Sequence, residues 1–410
     1  MSKADPRDSE RLAFMERYLR GSLLILDRIG SDLGQIEALS RRAAAVIQGG
    51  ASVYASMNFG HLPEYETAPV RRGNPGLIKE HGGWGGVDFA RLRTGDMVFT
   101  NACTRQAREA RERGVYVVAV TSSYINNEFR PPSITCPNED GLLLRDVANE
   151  ILHNQAHYEQ GLCCAPEIPG VTLCPSSATG TCALFWMLNA GIVAAVDRQD
   201  GGAALACASY LSILHRRVTA LEMHLEKIQK TAILMAERVL DRGAWHTRSL
   251  EYAGLASELH GVECGPMIIN STDWNSAKPN VLLINAISPS DPDELKLAAQ
   301  KRDEGAYVVA IAPASLDGAT PGCRLLDVAD AGFDNVSPEL GGVMRTQGRL
   351  DANCPTSGVV GNILQQMLCA QWTDEMIRKG APPFFFKGIN QVGGRAFNAE
   401  RKPLFERRGY

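Results

Sequence analysis

The sequence predicts an α/β protein in two similar halves, each a parallel sheet flanked by helices. Two observations carry this. First, Asp96 to Tyr124 reads as an apolar run (Met97-Val-Phe-Thr), a charged Ala/Arg/Glu stretch closed by Gly114, and a second apolar run (Val115 to Val120). Short apolar runs with β-branched content suit buried strands, and the charged stretch suits a helix with a glycine just past its end. Strand, helix, strand within about 30 residues is a βαβ unit, which needs a parallel sheet covered on both faces. Second, the later half repeats the earlier one. Asn280–Ile287 parallels Met97–Cys103, with Asn-Ala in both; Glu304–Ile311 parallels Arg113–Val120; Cys354–Gly361 parallels Cys174–Gly180. Three matched blocks in one order indicate a tandem duplication.

The elements follow in order. Residues 1–48 form an N-terminal helical region: Leu12, Met15, Tyr18, Leu19, Leu23, Leu26 and Ile29 make one apolar stripe, broken near Gly30-Ser-Asp. Such helices serve packing or dimerisation. Residues 49–200 form the first domain. Ser52–Ser56 is its first strand, Met57–His61 a loop, and Leu62–Arg72 a helix. The stretch Gly73–Gly86 holds six glycines and reads as a loop or lid. Leu142–Ile151 has the look of a strand, and Val171–Pro175 is extended. Ser176 or Ser177 then caps a long apolar helix, Cys182–Val196. Residues 201–242 are a helical connector, with Leu211, Leu214, Val218, Leu221, Leu225 and Ile228 in helical steps; residues 243–410 are the second, diverged domain.

A chain of 410 residues can bury a sizeable core. Its net charge of −4 supplies no broad basic surface, so no nucleic-acid partner is expected. The eleven cysteines are scattered without paired metal spacing, and read as reduced thiols in a cytoplasmic protein. No secretory signal and no membrane span are expected.

Ligands of open parallel sheets bind beyond the strands' carboxyl ends. There the chain places Asn101, Cys103 and Thr104 after one strand, and Thr121, Ser122 and Ser123 after the next. Hydroxyls and backbone N–H groups at a helix start suit a phosphate; the same residue types also cap helices and turns. Gly60 permits close backbone approach. His61 lies where a general acid or base reaches a bound ligand, although loop histidines are more often structural. His153 and His157 are four apart, but the segment does not read as a helix and no third ligand stands out, so no metal is expected.

Gly95-Asp96 through Thr121-Ser122, with Leu144-Arg-Asp-Val-Ala-Asn149, Leu326-Asp-Val-Ala-Asp330 and the tail Gly380-Ala-Pro-Pro-Phe-Phe-Phe-Lys387, resembles the SIS (sugar isomerase) domain family. The tail resembles an uncharacterised phosphosugar-binding subgroup of it. The resemblance spans residues 40–200 and, more loosely, 230–400. It implies two Rossmann-like domains, each a sheet of about five parallel strands with a sugar phosphate at the strand ends. Carried over by position, the binding residues are Ser56, Asn58, Gly60, Asn101, Thr104, Thr121, Ser122, Ser176 and Ser177. The family loop reads Ser-x-Ser-Gly; here it is Asn101-Ala-Cys-Thr104. In the second half Ala312-Pro-Ala-Ser stands where the first has Thr121-Ser-Ser.

Two functions follow. One is an aldose–ketose isomerase of a sugar phosphate, with His61, Glu64 or His157 (and Glu66 beside them) moving the proton and donors stabilising an enediolate. The other is a non-catalytic phosphosugar sensor or assembly protein. No cofactor is implied, and a homo-oligomer, a dimer or larger, is expected.

Overall fold

The chain opens in two amphipathic helices, α1 (Phe14–Ser31) and α2 (Leu33–Gln48), split at Asp32 as the Gly30-Ser-Asp break predicts. In this computed structural model the described residues are 13–57, 64–68, 71–80, 88–101, 104–121, 142–157, 159–198, 202–241, 243–249, 258–259, 264–270, 280–314, 324–337, 341–345, 351–389 and 391–410.

The first sheet comprises β1 (Val53–Ser56), β2 (Ile78–Glu80), β3 (Met97–Thr100), β4 (Tyr116–Thr121) and β5 (Glu150–His153). Its order is β2-β1-β3-β4-β5, and every pairing is parallel. Three helices interleave: α3 (Glu64–Thr67), α4 (Thr104–Glu112) and α5 (Leu144–Val147). A small antiparallel pair follows, β6 (Gly161–Cys163) with β7 (Leu173–Pro175). Then come α6 (Ser177–Val196), α7 (Gly202–Ala220), a 3-10 turn at Leu221–His224 and α8 (Leu225–Leu240).

The second sheet comprises β8 (Trp245–Arg248), β9 (Ile269–Asn270), β10 (Val281–Asn285), β11 (Tyr307–Ala312) and β12 (Ala331–Asp334). Its order is β9-β8-β10-β11-β12, again all parallel. Both sheets thus run second-first-third-fourth-fifth in chain order, which places the reversal of strand order between the first and third strands of each. The helices here are α9 (Pro292–Asp303), α10 (Leu325–Val328), α11 (Ser357–Arg378) and α12 (Gly394–Arg408).

The main apolar core gathers around α6 and α11. Gly, Ala, Leu, Phe, Trp and Met surround α6 on all sides, and such a helix must be enclosed. It is: Ser177 through Ala194 are buried. By length and hydropathy α6 could cross a membrane, but 89% of the relevant window lies inside the protein. Trp245 of β8 and Trp372 of α11 meet edge to face, their centroids 5.0 Å apart.

Several local readings change. The stretch 142–151 is a short helix and then a strand, because Asn149 turns the chain and its Oδ1 accepts from Val117 N at 2.9 Å. The helix expected over Leu62–Arg72 is described only at Glu64–Thr67. The glycine-rich stretch contains β2, a three-residue edge strand too short to show a pattern. The apolar helix starts at Ser177, five residues ahead of Cys182.

Candidate functional site

The strand order reverses between β1 and β3, where the carboxyl ends leave a crevice. Ser56 and Thr100 are in register there. Asn101 follows, its N–H donating to Ser56 O at 3.3 Å and its Nδ2 to Met57 O at 3.1 Å. All three polar side chains are buried. The strand start is fixed by Asp96, whose carboxylate accepts from Ser52 N at 2.9 Å and Arg93 N at 2.8 Å. Thr104 opens α4 and Thr121 closes β4, so the backbone brings both to the same sheet edge. Only the backbones of Thr104, Thr121 and Glu64 are described; Asn58, Gly60, His61 and Ser122 lie outside the described residues.

Ser176 and Ser177 stand at the start of α6, and Ser176 does not cap it with its side chain. Ser176 Oγ donates to Gln160 O at 2.8 Å, and Ser177 Oγ to Gln160 Oε1 at 2.8 Å. Gln160 itself takes a left-handed φ of 62° and is buried. His157 is exposed on the loop after β5, its Nδ1 accepting from Glu159 N at 3.4 Å. His153 sits on β5 opposite Thr121, so the two histidines share no helix face. Among the described residues no cluster of His, Cys, Asp and Glu could hold a metal.

Sequence reading missed a buried ion pair. Glu66 Oε2 and Arg71 Nε lie 3.9 Å apart with both side chains fully enclosed. Trp186 Nε1 donates to the same Glu66 oxygen, and Arg71 Nη2 donates to Ser357 Oγ at 2.9 Å. The pair therefore ties the first half to the start of α11. A Glu and an Arg flanking Pro69 are the only sequence signal, and nothing in their spacing foretells burial. Glu258, in the second half, is half-buried, and burial pushes its carboxyl up to about 8. Burial pushes the Cys182 thiol well up and the Cys207 thiol to about 11, and a thiol held protonated is a poor nucleophile.

No family model matches the sequence, and no curated protein does. Solved structures do match. A candidate phosphosugar isomerase from Silicibacter pomeroyi DSS-3 aligns over 90% of this chain and 99% of its own, at 15% identity and a TM-score of 0.50. The chain has the SIS-type fold. A candidate sugar-binding protein from Salmonella typhimurium LT2 aligns over 86% and 99%, at 16% identity and a TM-score of 0.48. The C-terminal domain of glucosamine-fructose-6-phosphate aminotransferase from Francisella tularensis aligns over 93% and 99%, at 10% identity and a TM-score of 0.48.

Proposed function

We propose that the protein binds a sugar phosphate at the carboxyl end of the first sheet and acts on it as an aldose–ketose isomerase or related enzyme. The observation that carries this is the polar row Ser56, Thr100 and Asn101 at the strand-order reversal, with α4 starting at Thr104. The backbone N–H groups of that helix and the hydroxyls around it suit a phosphate. The Silicibacter protein that shares the fold is itself described as a candidate phosphosugar isomerase. Proton transfer falls to His61, Glu64 or His157; Glu66 is less suited, being held by Trp186 and Arg71.

The test is a thermal-shift panel of sugar phosphates against their unphosphorylated sugars. A ligand at 100 times its dissociation constant stabilises by about 2.7 kcal/mol, a plain shift. Thr104→Ala and Asn101→Ala should weaken it, and His61→Ala or Glu64→Gln should abolish isomerisation while binding persists. A panel with no shift overturns the reading.

A non-catalytic binder is the second reading. Its support is that Ser176 and Ser177 both end on Gln160, which leaves fewer donors for a sugar. Binding of a phosphorylated sugar without turnover would select it. The same proposal holds residues 49–200 and 243–410 to be duplicated domains and the chain to be a homo-oligomer, for which light scattering is the check.

A further inference from the structure

The tail Gly380–Lys387 and helix α12 take no part in the strand-end site, yet together they build a cleft of their own. The paired prolines Pro382 and Pro383 set the tail's backbone extended. It runs along residues 265–267: Met267 N donates to Phe384 O at 2.8 Å, and Phe386 N to Gly265 O at 2.9 Å. Side chains of an extended segment alternate in direction, so Phe385 is buried while Phe384 is only half-buried. Asn398 then ties α12 to the tail. Its Oδ1 accepts from Lys387 N and its Nδ2 donates to Lys387 O, both at 2.8 Å. Phe397, Arg401, Leu404 and Arg408 recur at steps of four, three and four, which places them on one face of α12. That face, the tail and Ile168 from the loop after β6 bound a cleft of about 180 Å³.

The cleft is apolar apart from its charged side chains. Ile168 and Phe385 are buried, and Phe384, Phe397 and Leu404 are half-buried. Arg408 is committed to the wall: its guanidinium lies 4.3 Å from the Phe384 ring centroid and donates to Pro382 O and, at 3.3 Å, to Tyr410 O. Arg401 is not committed in this way. It lies 5.3 Å from the Phe397 ring centroid, and its Nε has no hydrogen-bond partner among the described residues. Its carboxylate contact among those residues is Glu400, at 3.9 Å, with a side chain 71% exposed. Adjacent residues on a helix do not face each other, and an exposed pair at that distance contributes little. Glu167, the carboxylate among the lining residues, is itself exposed to water. The cleft therefore sets a half-buried guanidinium against aromatic rings, an arrangement that a carboxylate on an apolar body would complete. Size agrees, since an apolar cavity of roughly 150 Å³ takes a benzene ring.

We propose that this cleft binds a small aromatic carboxylic acid, with the ring among Phe384, Phe397 and Leu404 and the carboxylate on Arg401. None of these residues belongs to the strand-end row, so the site stands independently of the sugar-phosphate reading. An occupant would touch the tail and α12 together, and so hold the last helix in place.

The experiment is a ligand-observed NMR titration of the full chain with benzoate. Benzamide, with the ring but no charge, and acetate, with the charge but no ring, are run beside it. Benzoate should bind about 10-fold more tightly than either, the worth of one charge-assisted contact on one side and of ring burial on the other. Arg401→Gln should weaken benzoate about 10-fold and erase its advantage over benzamide. Arg401→Lys keeps the charge without the planar fork and should fall between the two. Leu404→Trp fills the cleft with the charge in place and should abolish benzoate binding. A wild type that does not bind benzoate, or that binds benzamide or acetate as tightly, overturns the proposal. So does benzoate binding that is unchanged in a folded Arg401→Gln or Leu404→Trp.

Discussion

The starts of α6 and α11 share a backbone and differ in what meets them. Each follows a Cys-Pro step in which the cysteine adopts a left-handed φ, 61° at Cys174 and 59° at Cys354. Such a φ is uncommon outside glycine, so the surroundings must hold it. At both steps they do so alike. A tyrosine donates to the proline carbonyl, Tyr18 to Pro175 O at 2.7 Å and Tyr210 to Pro355 O at 2.9 Å. The cysteine N–H donates across to the other half, Cys174 to Cys264 O at 3.4 Å and Cys354 to Gly73 O at 2.9 Å. The side chains then part ways: a neutral glutamine closes α6, and two arginines close α11. The backbone geometry of the two helix starts is alike, while their electrostatics differ.

Two acids sharpen the contrast. Twelve residues after each cysteine stand Trp186 and Gln366. Trp186 donates to the Glu66 carboxylate, whereas Gln366 Nε2 donates to the Glu258 carbonyl at 3.1 Å. Glu66 has Arg71; Glu258 is shifted by burial alone. Arg71→Met should therefore have the largest effect, since it strands a buried carboxylate at a cost of about 3–5 kcal/mol. Urea unfolding measures it, and Glu66→Gln added to Arg71→Met should recover most of the loss. A cost under about 1 kcal/mol would mean the pair is not sealed from water.

Glu258 carries the next effect, and its sign is fixed by linkage. Its folded value of about 8 lies above an ordinary value near 4.5, so the folded state holds the extra proton between them. The stabilisation is complete below about 4.5 and is lost as pH rises towards 8, at up to about 1.4 kcal/mol per unit. Glu258→Gln should flatten the melting temperature between pH 5 and 8 and exceed the wild type at pH 8. An unchanged pH profile would show that the carboxyl reaches solvent.

Much of this architecture was legible in the sequence. The β3–α4–β4 unit announces itself because its strands are apolar on both faces and its helix is charged, and the Asn-Ala and Tyr-Val-Val-Ala repeats carry it into the second half. The edge strands were not legible. β2 and β9 have three and two residues, too few for alternation, and β8 reads Trp-His-Thr-Arg, with polar side chains buried. The strand-end residues Ser56 and Asn101 were found because small polar residues closing an apolar strand are visible locally. The Glu66–Arg71 pair and the Arg217–Thr356 contact were invisible: the first is sealed only by Trp186 and Ser357, far along the chain, and the second joins residues 139 apart.

Two smaller effects probe the shared backbone. Tyr18→Phe and Tyr210→Phe each remove one buried hydrogen bond and should each cost about 1–2 kcal/mol; a large inequality would mean the two Cys-Pro steps are not held alike. Thr181→Val is the finest test. It keeps the shape of the side chain, removes the acceptor of Asn154 Nδ2, and so gives the first half the orphaned amide that Gly361 leaves in the second. The expected cost is about 1 kcal/mol by thermal unfolding. If Thr181→Val is neutral, an unmet amide in this position is tolerated without help. If it costs what a stranded donor should, the second half bears the same penalty at Asn335, whose Nδ2 has no hydrogen-bond partner among the described residues.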